Sequence, residues 1–337
     1  MRKLLLTIAA IASVLAPAVP ASAAAADLSL YRGKTVNYIV ATGPGGGYDT
    51  YARLLGRYMQ KYLPGSRFIV RNVPGAGHIV GANTLYVARP DGLTIGTFNT
   101  GLIYDQLLKR AGARFDLTKF GWIGSAAHDM RVLVISNRSG FKNFKELADS
   151  GQVIRVAAAG VGSAAYNDTR IVAEALHLKV QIIPGFEGNE GEMSMLRGEV
   201  IALLGAASTF ENFVNNGGGY YALAVSGDTR ELPGVPRARD FVTEERGGKL
   251  LELIEALSEL GRLTAAPPGV PANMLEALRE AYAKALADPA LRREAEQLHL
   301  PIDPAIGAEV ERRVLAALDQ SPESIALLKE ATAVSNP

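Results

Sequence analysis

Short apolar strands alternate with amphipathic helices along this chain, and glycine-rich turns join them. Residues 35–41 have the composition of a buried strand and run directly into the glycine-rich segment 43–47. A helical pattern follows from about Asp49, with apolar residues three and four positions apart. This alternation constrains the chain more than any other feature, because it favours an α/β fold with mostly parallel sheets.

The alternation continues through two halves of the chain. It predicts further strands at residues 67–71, 93–98, 131–136, 153–158 and 220–225. It predicts further helices that end near residue 88, span residues 167–176 and span residues 272–286. A second glycine segment, Gly160-Val161-Gly162-Ser163, again stands between a strand and a helix. Because ligands of open parallel sheets bind beyond the carboxyl ends of strands, both glycine segments are candidate binding loops.

The N-terminus has the pattern of a secretory signal. Arg2 and Lys3 precede an apolar run over residues 4–15, and Ala21-Ser22-Ala23 supplies the small residues of a cleavage site. We expect a signal peptide over residues 1–23, with cleavage after Ala26 as the alternative. No later run in the sequence is long and apolar enough for a membrane-spanning helix. The mature chain is therefore expected to be a soluble periplasmic protein.

Composition excludes several kinds of site and partner. The chain has no cysteine, which excludes disulfides and thiolate metal ligands. Without Arg2 and Lys3, the 35 Lys+Arg become 33 against 34 Asp+Glu, a net charge of −1. The basic residues are scattered among acids, so a nucleic-acid partner is not expected. The histidines have no metal-binding spacing, and neither a metal nor a cofactor is predicted.

Three groups of motifs carry a resemblance to a known family. They are Pro44-Gly45-Gly46-Gly47-Tyr48-Asp49 with Ala52-Arg53; Asn72-x-Pro74-Gly75-Ala76-Gly77 with Pro90-Asp91-Gly92; and Gly160-Val161-Gly162-Ser163 with Leu196-Arg197-Gly198-Glu199-Val200 and Ala266-Pro267-Pro268-Gly269-Val270-Pro271. In order and spacing they resemble the periplasmic solute receptors of tripartite tricarboxylate transporters, the Bug-type receptors. The resemblance covers essentially the whole mature chain.

The resemblance implies a two-lobed periplasmic-binding-protein fold, or flytrap, in which each lobe is a mostly parallel sheet flanked by helices. We place the first lobe at residues 27–125 plus 236–337 and the second at residues 126–235. The resemblance also implies a monomeric receptor without catalytic activity. Such a receptor captures a small carboxylate between its lobes and delivers it to membrane transporter subunits.

Three positions depart from the family pattern. Residues 184–188 read Pro-Gly-Phe-Glu-Gly where the family commonly shows Pro-Tyr-Lys-Gly, so the acidic Glu187 replaces a basic residue. His78 stands where a glycine often follows Gly77, and Ile201 stands where aspartate is common. Because loop side chains select the middle of a ligand, these departures leave the identity of the carboxylate open.

A glycine loop followed by a helix start suits a carboxylate. Glycine permits a positive φ and the close approach of a ligand, and the helix start presents N–H groups at the positive end of the helix dipole. By resemblance, Asn99 and Thr100 lie where the family supplies cleft contacts. The predicted ligand-binding residues are Gly46, Gly47, Tyr48, Asp49, Ala76, Gly77, His78, Asn99, Thr100, Gly162, Ser163, Ala164, Phe186 and Glu187.

Some of these residues have a second interpretation. Asp49 is also a candidate helix cap, and Ser163 a helix-start residue. His78 is a candidate for a local hydrogen bond, and Tyr48 for ordinary aromatic packing. By contrast, Arg53 and Arg57 stand four apart on the first helix; this spacing predicts an exposed face or an ion pair.

Two other functions stay open from the sequence. Residues 160–165 fit the G-x-G-x-x-[GA] pattern of a dinucleotide-binding enzyme. The acidic residue expected about twenty positions later is missing, since Glu174 falls inside the predicted helix and Glu187 lies too far along. The sequence also has no G-x-S-x-G nucleophile motif. A periplasmic sensor that signals to a receptor kinase would use the same cleft as an uptake receptor.

Overall fold

The computed structural model describes residues 26–128, 130–227, 230, 232–258 and 260–333. The predicted signal peptide over residues 1–23 lies outside them. Within the described residues, none of the helices combines the length and the apolar character that a membrane crossing requires.

The residues that the structure describes form two sheets, whose strands are numbered together in chain order. Six strands form the first sheet. They are β1 (Thr35–Val40), β2 (Arg67–Asn72), β3 (Thr94–Phe98), β4 (Gly121–Ala127), β10 (Gly261–Ala266) and β11 (Ala305–Ile306). They lie in the order β11-β4-β10-β3-β1-β2. β1 pairs in parallel with β2 and β3, whereas β10 runs antiparallel to β3 and β4, and β11 runs antiparallel to β4.

Five strands form the second sheet. They are β5 (Arg131–Ser136), β6 (Ile154–Ala158), β7 (Val180–Pro184), β8 (Ala202–Ala206) and β9 (Gly219–Ala224). They lie in the order β7-β6-β8-β5-β9. β6 pairs in parallel with β7 and β8, whereas β5 runs antiparallel to β8 and β9. We refer to the two halves as the six-stranded lobe and the five-stranded lobe.

Helices cover both sheets. The α-helices that the structure describes are α1 (Gly47–Tyr62), α2 (Ile79–Tyr86), α3 (Gly101–Leu107), α4 (Phe144–Asp149), α5 (Ala164–Ala175), α6 (Glu190–Arg197), α7 (Ala207–Asn215), α8 (Glu245–Ser258), α9 (Ala272–Ala287), α10 (Pro289–Gln297), α11 (Ala308–Leu318) and α12 (Pro322–Thr332). The predicted α/β class with two lobes is confirmed.

Each of the two sheets contains both parallel and antiparallel strand pairs. The predicted parallel pairs are those of β1–β3 and β6–β8, where each crossover contains a helix. Of the remaining strands, β4, β5 and β10 adjoin the passages between lobes. β4 ends at Ala127 in the first sheet and β5 begins at Arg131 in the second. These strands complete the sheets with antiparallel pairs, which the helix-and-strand alternation does not predict.

One apolar core extends across both lobes. It contains Phe98 and Trp122 from the first sheet and Leu133 and Val156 from the second, all buried. Helix α3 of the first half packs against α5 of the second. The two lobes are therefore joined along these helices as well as by the chain passages.

The packing of helices α8 and α12 is relevant to the predicted lobe boundaries. Those boundaries stay a prediction. α8 contacts α5, and α12 contacts both α5 and α8. The predicted boundaries place both helices, within residues 236–337, in the first lobe. Both helices pack on the helix layer of the five-stranded sheet, where they cover α5.

Candidate ligand-binding site

The loop after β1 is held in shape by Asp49. Gly46 is the residue before α1, in extended conformation with φ −88° and ψ 175°. The buried Asp49 carboxylate accepts the Gly45 N–H at 3.0 Å and the Asn72 Nδ2–H at 2.9 Å. Burial opposes its ionisation, but these bonds and one from Arg53 outweigh burial and hold the pKa of Asp49 below its usual range. Asp49 thus stabilises the loop and does not line the cavity described below.

The positive φ of this loop lies at Gly45, with φ 86°. Gly47 is the first residue of α1, and it is the space around it that favours glycine. A Cβ there would lie 3.1 Å from Thr209 Oγ1 and 3.2 Å from Arg262 Nη2. The sequence pattern predicts both a positive φ and a close approach in this loop; the positive φ is found at Gly45, and only the close approach applies to Gly47.

His78 is buried in the second loop of the six-stranded lobe. It has the unusual φ of 87° and is 2% exposed. Its Nε2 lies 2.9 Å from Asn99 Nδ2, and its ring packs edge-on against Tyr48. Burial lowers the pKa of His78 to about 3, so the imidazole is neutral near pH 7. His78 therefore contributes a polar but uncharged side chain to the site.

Ser163 starts α5 in the five-stranded lobe. Its Oγ accepts the Tyr166 N–H at 3.2 Å and donates to the Gly160 carbonyl at 2.8 Å. The hydroxyl is thus used by the helix start, as its second interpretation held. The first-turn N–H groups of Ala164 and Ala165 have no carbonyl partner within the helix. They are the groups at this end of α5 suited to receive an anion.

The loops of the two lobes meet backbone to backbone. A Cβ added to Gly77 would lie 2.6 Å from the Ser163 nitrogen, and one added to Gly101 would lie 2.5 Å from the Ala164 nitrogen. A Cβ added to Gly46 would lie 2.9 Å from the Gly188 Cα. Glycine at these positions permits a contact that other residues would prevent, and we refer to this arrangement, with the loops of the two lobes in contact, as the closed form.

Glu187 ties the lobes together from the five-stranded side. Its Oε2 accepts the Gly43 N–H at 2.7 Å, and its carboxylate also accepts the Gly75 N–H. Burial raises the pKa of Glu187, and the two backbone hydrogen bonds oppose that rise. The carboxylate faces the two loops of the other lobe and does not line the cavity between them.

A cavity of about 150 Å³ lies between the lobes. Eight of the predicted residues line it: Gly46, Gly47, Tyr48, His78, Asn99, Ser163, Ala164 and Phe186. The other six do not: Asp49, Ala76, Gly77, Thr100, Gly162 and Glu187. Most of these six shape or join the loops around the cavity. Their assignment as ligand-binding residues stays a prediction.

Arg262 lines the same cavity and was not predicted. It is the second residue of the antiparallel strand β10, is 4% exposed and has a φ of 56°. Its guanidinium lies 4.7 Å from the ring centre of Tyr48 and 4.9 Å from that of Tyr51. Its Nη2 donates to Thr209 Oγ1 at 3.2 Å, across the lobes. No sequence signal marks it, because it reaches the site from a strand more than 200 residues after Tyr48.

Two further charged residues line the cavity from the five-stranded lobe. Arg131 is held by Asp168, whose Oδ2 accepts the Arg131 Nε–H at 2.9 Å and whose Oδ1 accepts the Tyr104 hydroxyl at 3.1 Å. Glu192, on the first turn of α6, makes no hydrogen bond or ion pair with any residue that the structure describes. Burial alone raises the pKa of Glu192 to about 7. An acid in a first helical turn is common, so this position gave no signal in the sequence.

The arrangement suits an anion. The N-terminal ends of α1, α5 and α7 contribute Gly47, Ala164 and Thr209 to one lining, and helix N-termini carry partial positive charge. Arg262 adds a guanidinium group to the lining, and Asp168 pairs with Arg131. Within the part of the chain that the structure describes, no group of three His, Asp or Glu side chains is placed to hold a metal ion.

Comparisons with known proteins agree with this geometry. A family model described as tripartite tricarboxylate transporter family receptor matches residues 51–321. A UPF0065 protein of Bordetella pertussis is 30% identical over 281 residues, which is 80% of this chain and 81% of that protein. The periplasmic binding protein BugD has a TM-score of 0.75 at 24% identity, over 89% of this chain and 98% of BugD. MatC from Rhodopseudomonas palustris with bound malate has a TM-score of 0.69 at 23% identity, over 89% and 99% of the two chains.

Proposed function

This chain belongs to the family of tripartite tricarboxylate transporter receptors, and from that premise we propose that it captures a small carboxylate in the cavity between its lobes. It then delivers the solute to the membrane subunits of a tripartite tricarboxylate-type transporter. It works in the periplasm as a binding protein and not as an enzyme. The resemblance that the sequence motifs carry is confirmed at the level of the family.

The convergence of three helix N-termini on one cavity between the lobes carries this proposal. Each terminus offers backbone N–H groups and positive potential, so a carboxylate gains several hydrogen bonds once the lobes have closed around it. MatC, a protein of the same fold, was solved with bound malate. A cavity of about 150 Å³ holds a molecule about the size of benzene, which is also the scale of a small organic acid.

The dinucleotide-enzyme alternative receives no support from the closed form. The backbone of Gly77 lies directly against the Gly160-to-Ser163 loop, where the pattern would place a pyrophosphate. The cavity is also far smaller than a dinucleotide requires. The histidine in the lining, His78, is bound to Asn99 and not to a nucleophile.

A thermal-shift screen of the mature chain tests the proposal. Mono-, di- and tricarboxylates, amino acids and aromatic acids are compared with NAD at saturating concentration. We expect at least one small acid to raise the melting temperature, because a ligand of the folded state at about 100 times its Kd adds roughly 2.7 kcal/mol. A shift by NAD alone, with none from any acid, would refute the receptor function.

A further inference from the structure

The cavity contains one carboxylate that the proposed function leaves unexplained. Glu192 lines the cavity that would receive an anion, and an acid there repels a bound carboxylate. An acid at the third position of a helix often reaches back to cap the helix N-terminus. Glu192 makes no such bond, while Glu190 accepts the Glu187 N–H at 2.8 Å. The Glu192 side chain is thus directed to the cavity and not to its own helix.

The elements around Glu192 supply no countercharge. α6 packs on β6 and β8. β8 carries no charged residue, and the one on β6, Arg155, donates to the Gly198 carbonyl at the far end of α6. On α6 itself, Arg197 pairs with Glu199.

The cations across the cavity have other contacts. Arg131 pairs with Asp168. Arg262 lies over two tyrosine rings and bonds α7. A partly buried carboxylate without a partner is costly, and a cation supplied by the ligand would remove that cost.

We propose that the captured solute is an ammonium carboxylate, whose carboxylate is received by the helix N-termini and Arg262 and whose ammonium group is received by Glu192. This inference rests on the proposed function and names its substrate class. A neutral hydroxyl in place of the ammonium group leaves the charge of Glu192 uncompensated. The aromatic side chains Phe186 and Phe210 line the same cavity, and aromatic faces also attract cations.

The ammonium group gives binding a defined pH dependence. Burial raises the pKa of Glu192 to about 7 in the closed cavity, so without a cation Glu192 is mostly protonated there at pH 6 and mostly ionised at pH 8. Pairing with ammonium requires the ionised form, so binding tightens by about tenfold from pH 6 to pH 8 and releases a proton. His78 does not titrate in this range. Asp105, whose pKa burial raises to about 7, lies outside the cavity lining and is paired with Arg110.

The test uses pairs of probes that differ only in an amine or a hydroxyl. They are glycine and glycolate, L-alanine and L-lactate, L-leucine and L-2-hydroxyisocaproate, L-aspartate and L-malate, and 4-aminobutyrate and 4-hydroxybutyrate. Each is titrated calorimetrically into the wild type, Glu192→Gln and the control Glu199→Gln, which removes an exposed charge just after α6.

We expect at least one amine to bind the wild type at least tenfold more tightly than its hydroxy partner. Glu192→Gln is expected to reduce that preference to about twofold or less and to abolish the tightening between pH 6 and pH 8, while Glu199→Gln retains both. If Glu192→Gln does not fold, proton release by the wild type, measured in buffers of different ionisation enthalpy, replaces it.

Two results overturn the inference, and they are distinguishable from failure of the proposed function. If the hydroxy acids bind as well as the amines, or if Glu192→Gln keeps the amine preference, Glu192 does not select an ammonium group and the carboxylate receptor stands. If no probe binds and the wider acid screen is also negative, the receptor function itself is wrong.

Discussion

Arg262 brings a full positive charge into the lining of the interlobe cavity. Its backbone adopts a left-handed φ of 56°, which costs a residue with a side chain on the order of 1–3 kcal/mol. The side chain is fixed by the rings of Tyr48 and Tyr51 and by its bond to Thr209. A strained residue that is held so firmly and lines a cavity is a good candidate for ligand recognition.

Replacing Arg262 with methionine tests this role. Arg262→Met keeps an unbranched side chain between the two rings but removes the charge and the donors. We expect the Kd for the bound carboxylate to rise about tenfold to a hundredfold, because a hydrogen bond to a charged group contributes about 1.5–3 kcal/mol. The change is measured by calorimetric titration after circular dichroism shows that the variant is folded.

Arg57→Met is the matched control. Arg57 is an exposed residue of α1 that pairs with Glu294 away from the cavity. Exposed pairs of this kind contribute little, so its loss should leave the Kd within about twofold. Equal affinities for Arg262→Met and Arg57→Met would show that the anion is received by backbone groups alone.

At the scale of the elements, glycines allow the loops of the two lobes to touch. A Cβ at Gly160 would lie 2.8 Å from the Gly77 nitrogen, and the φ of Gly160 is not in the left-handed region. Alanine at position 160 therefore fits its own backbone but obstructs the other lobe. The Gly160→Ala variant therefore tests how closure of the lobes affects ligand binding without changing the conformation of the loop.

We expect Gly160→Ala to raise the Kd about tenfold or more, while the melting temperature of the ligand-free protein changes little. The added methyl group disfavours the closed form, which the ligand needs. Titration and thermal unfolding measure the two effects. Gly248→Ala in α8 is the control, because a Cβ there meets no atom within 4 Å. If Gly160→Ala binds as tightly as Gly248→Ala, the contact between the loops is not needed for binding.

The positions of the strands and helices can be predicted from the sequence, because the spacing of apolar residues and the positions of glycines reflect local structure. The strand predicted at residues 131–136 is β5 itself, and the helix predicted at residues 272–286 differs from α9 by one residue. The site follows only in part. Tyr48 and Ser163 adjoin glycine loops, so local pattern indicates them. Arg262 and Glu192 approach the cavity through tertiary packing, and no local pattern records which side chains meet there.

At the scale of the whole molecule, three features determine how the lobes move. The shared core along α3 and α5 joins the two lobes. The chain passages that lead into β5 and into β10 provide places for hinge bending. Glu187 and the touching glycine loops hold the cleft shut in the closed form. Without a ligand, these few contacts are all that offsets the free-energy cost of closing the lobes over the cavity. We therefore expect the free protein to open.

Small-angle X-ray scattering tests this account most directly. The mature chain is freed of bound solute by unfolding and refolding, and its profile is recorded with and without the acid that gives the largest thermal shift. If a carboxylate draws the lobes together, the radius of gyration falls on saturation as the cleft closes. An unchanged radius of gyration at full saturation would contradict capture by closure of the two lobes.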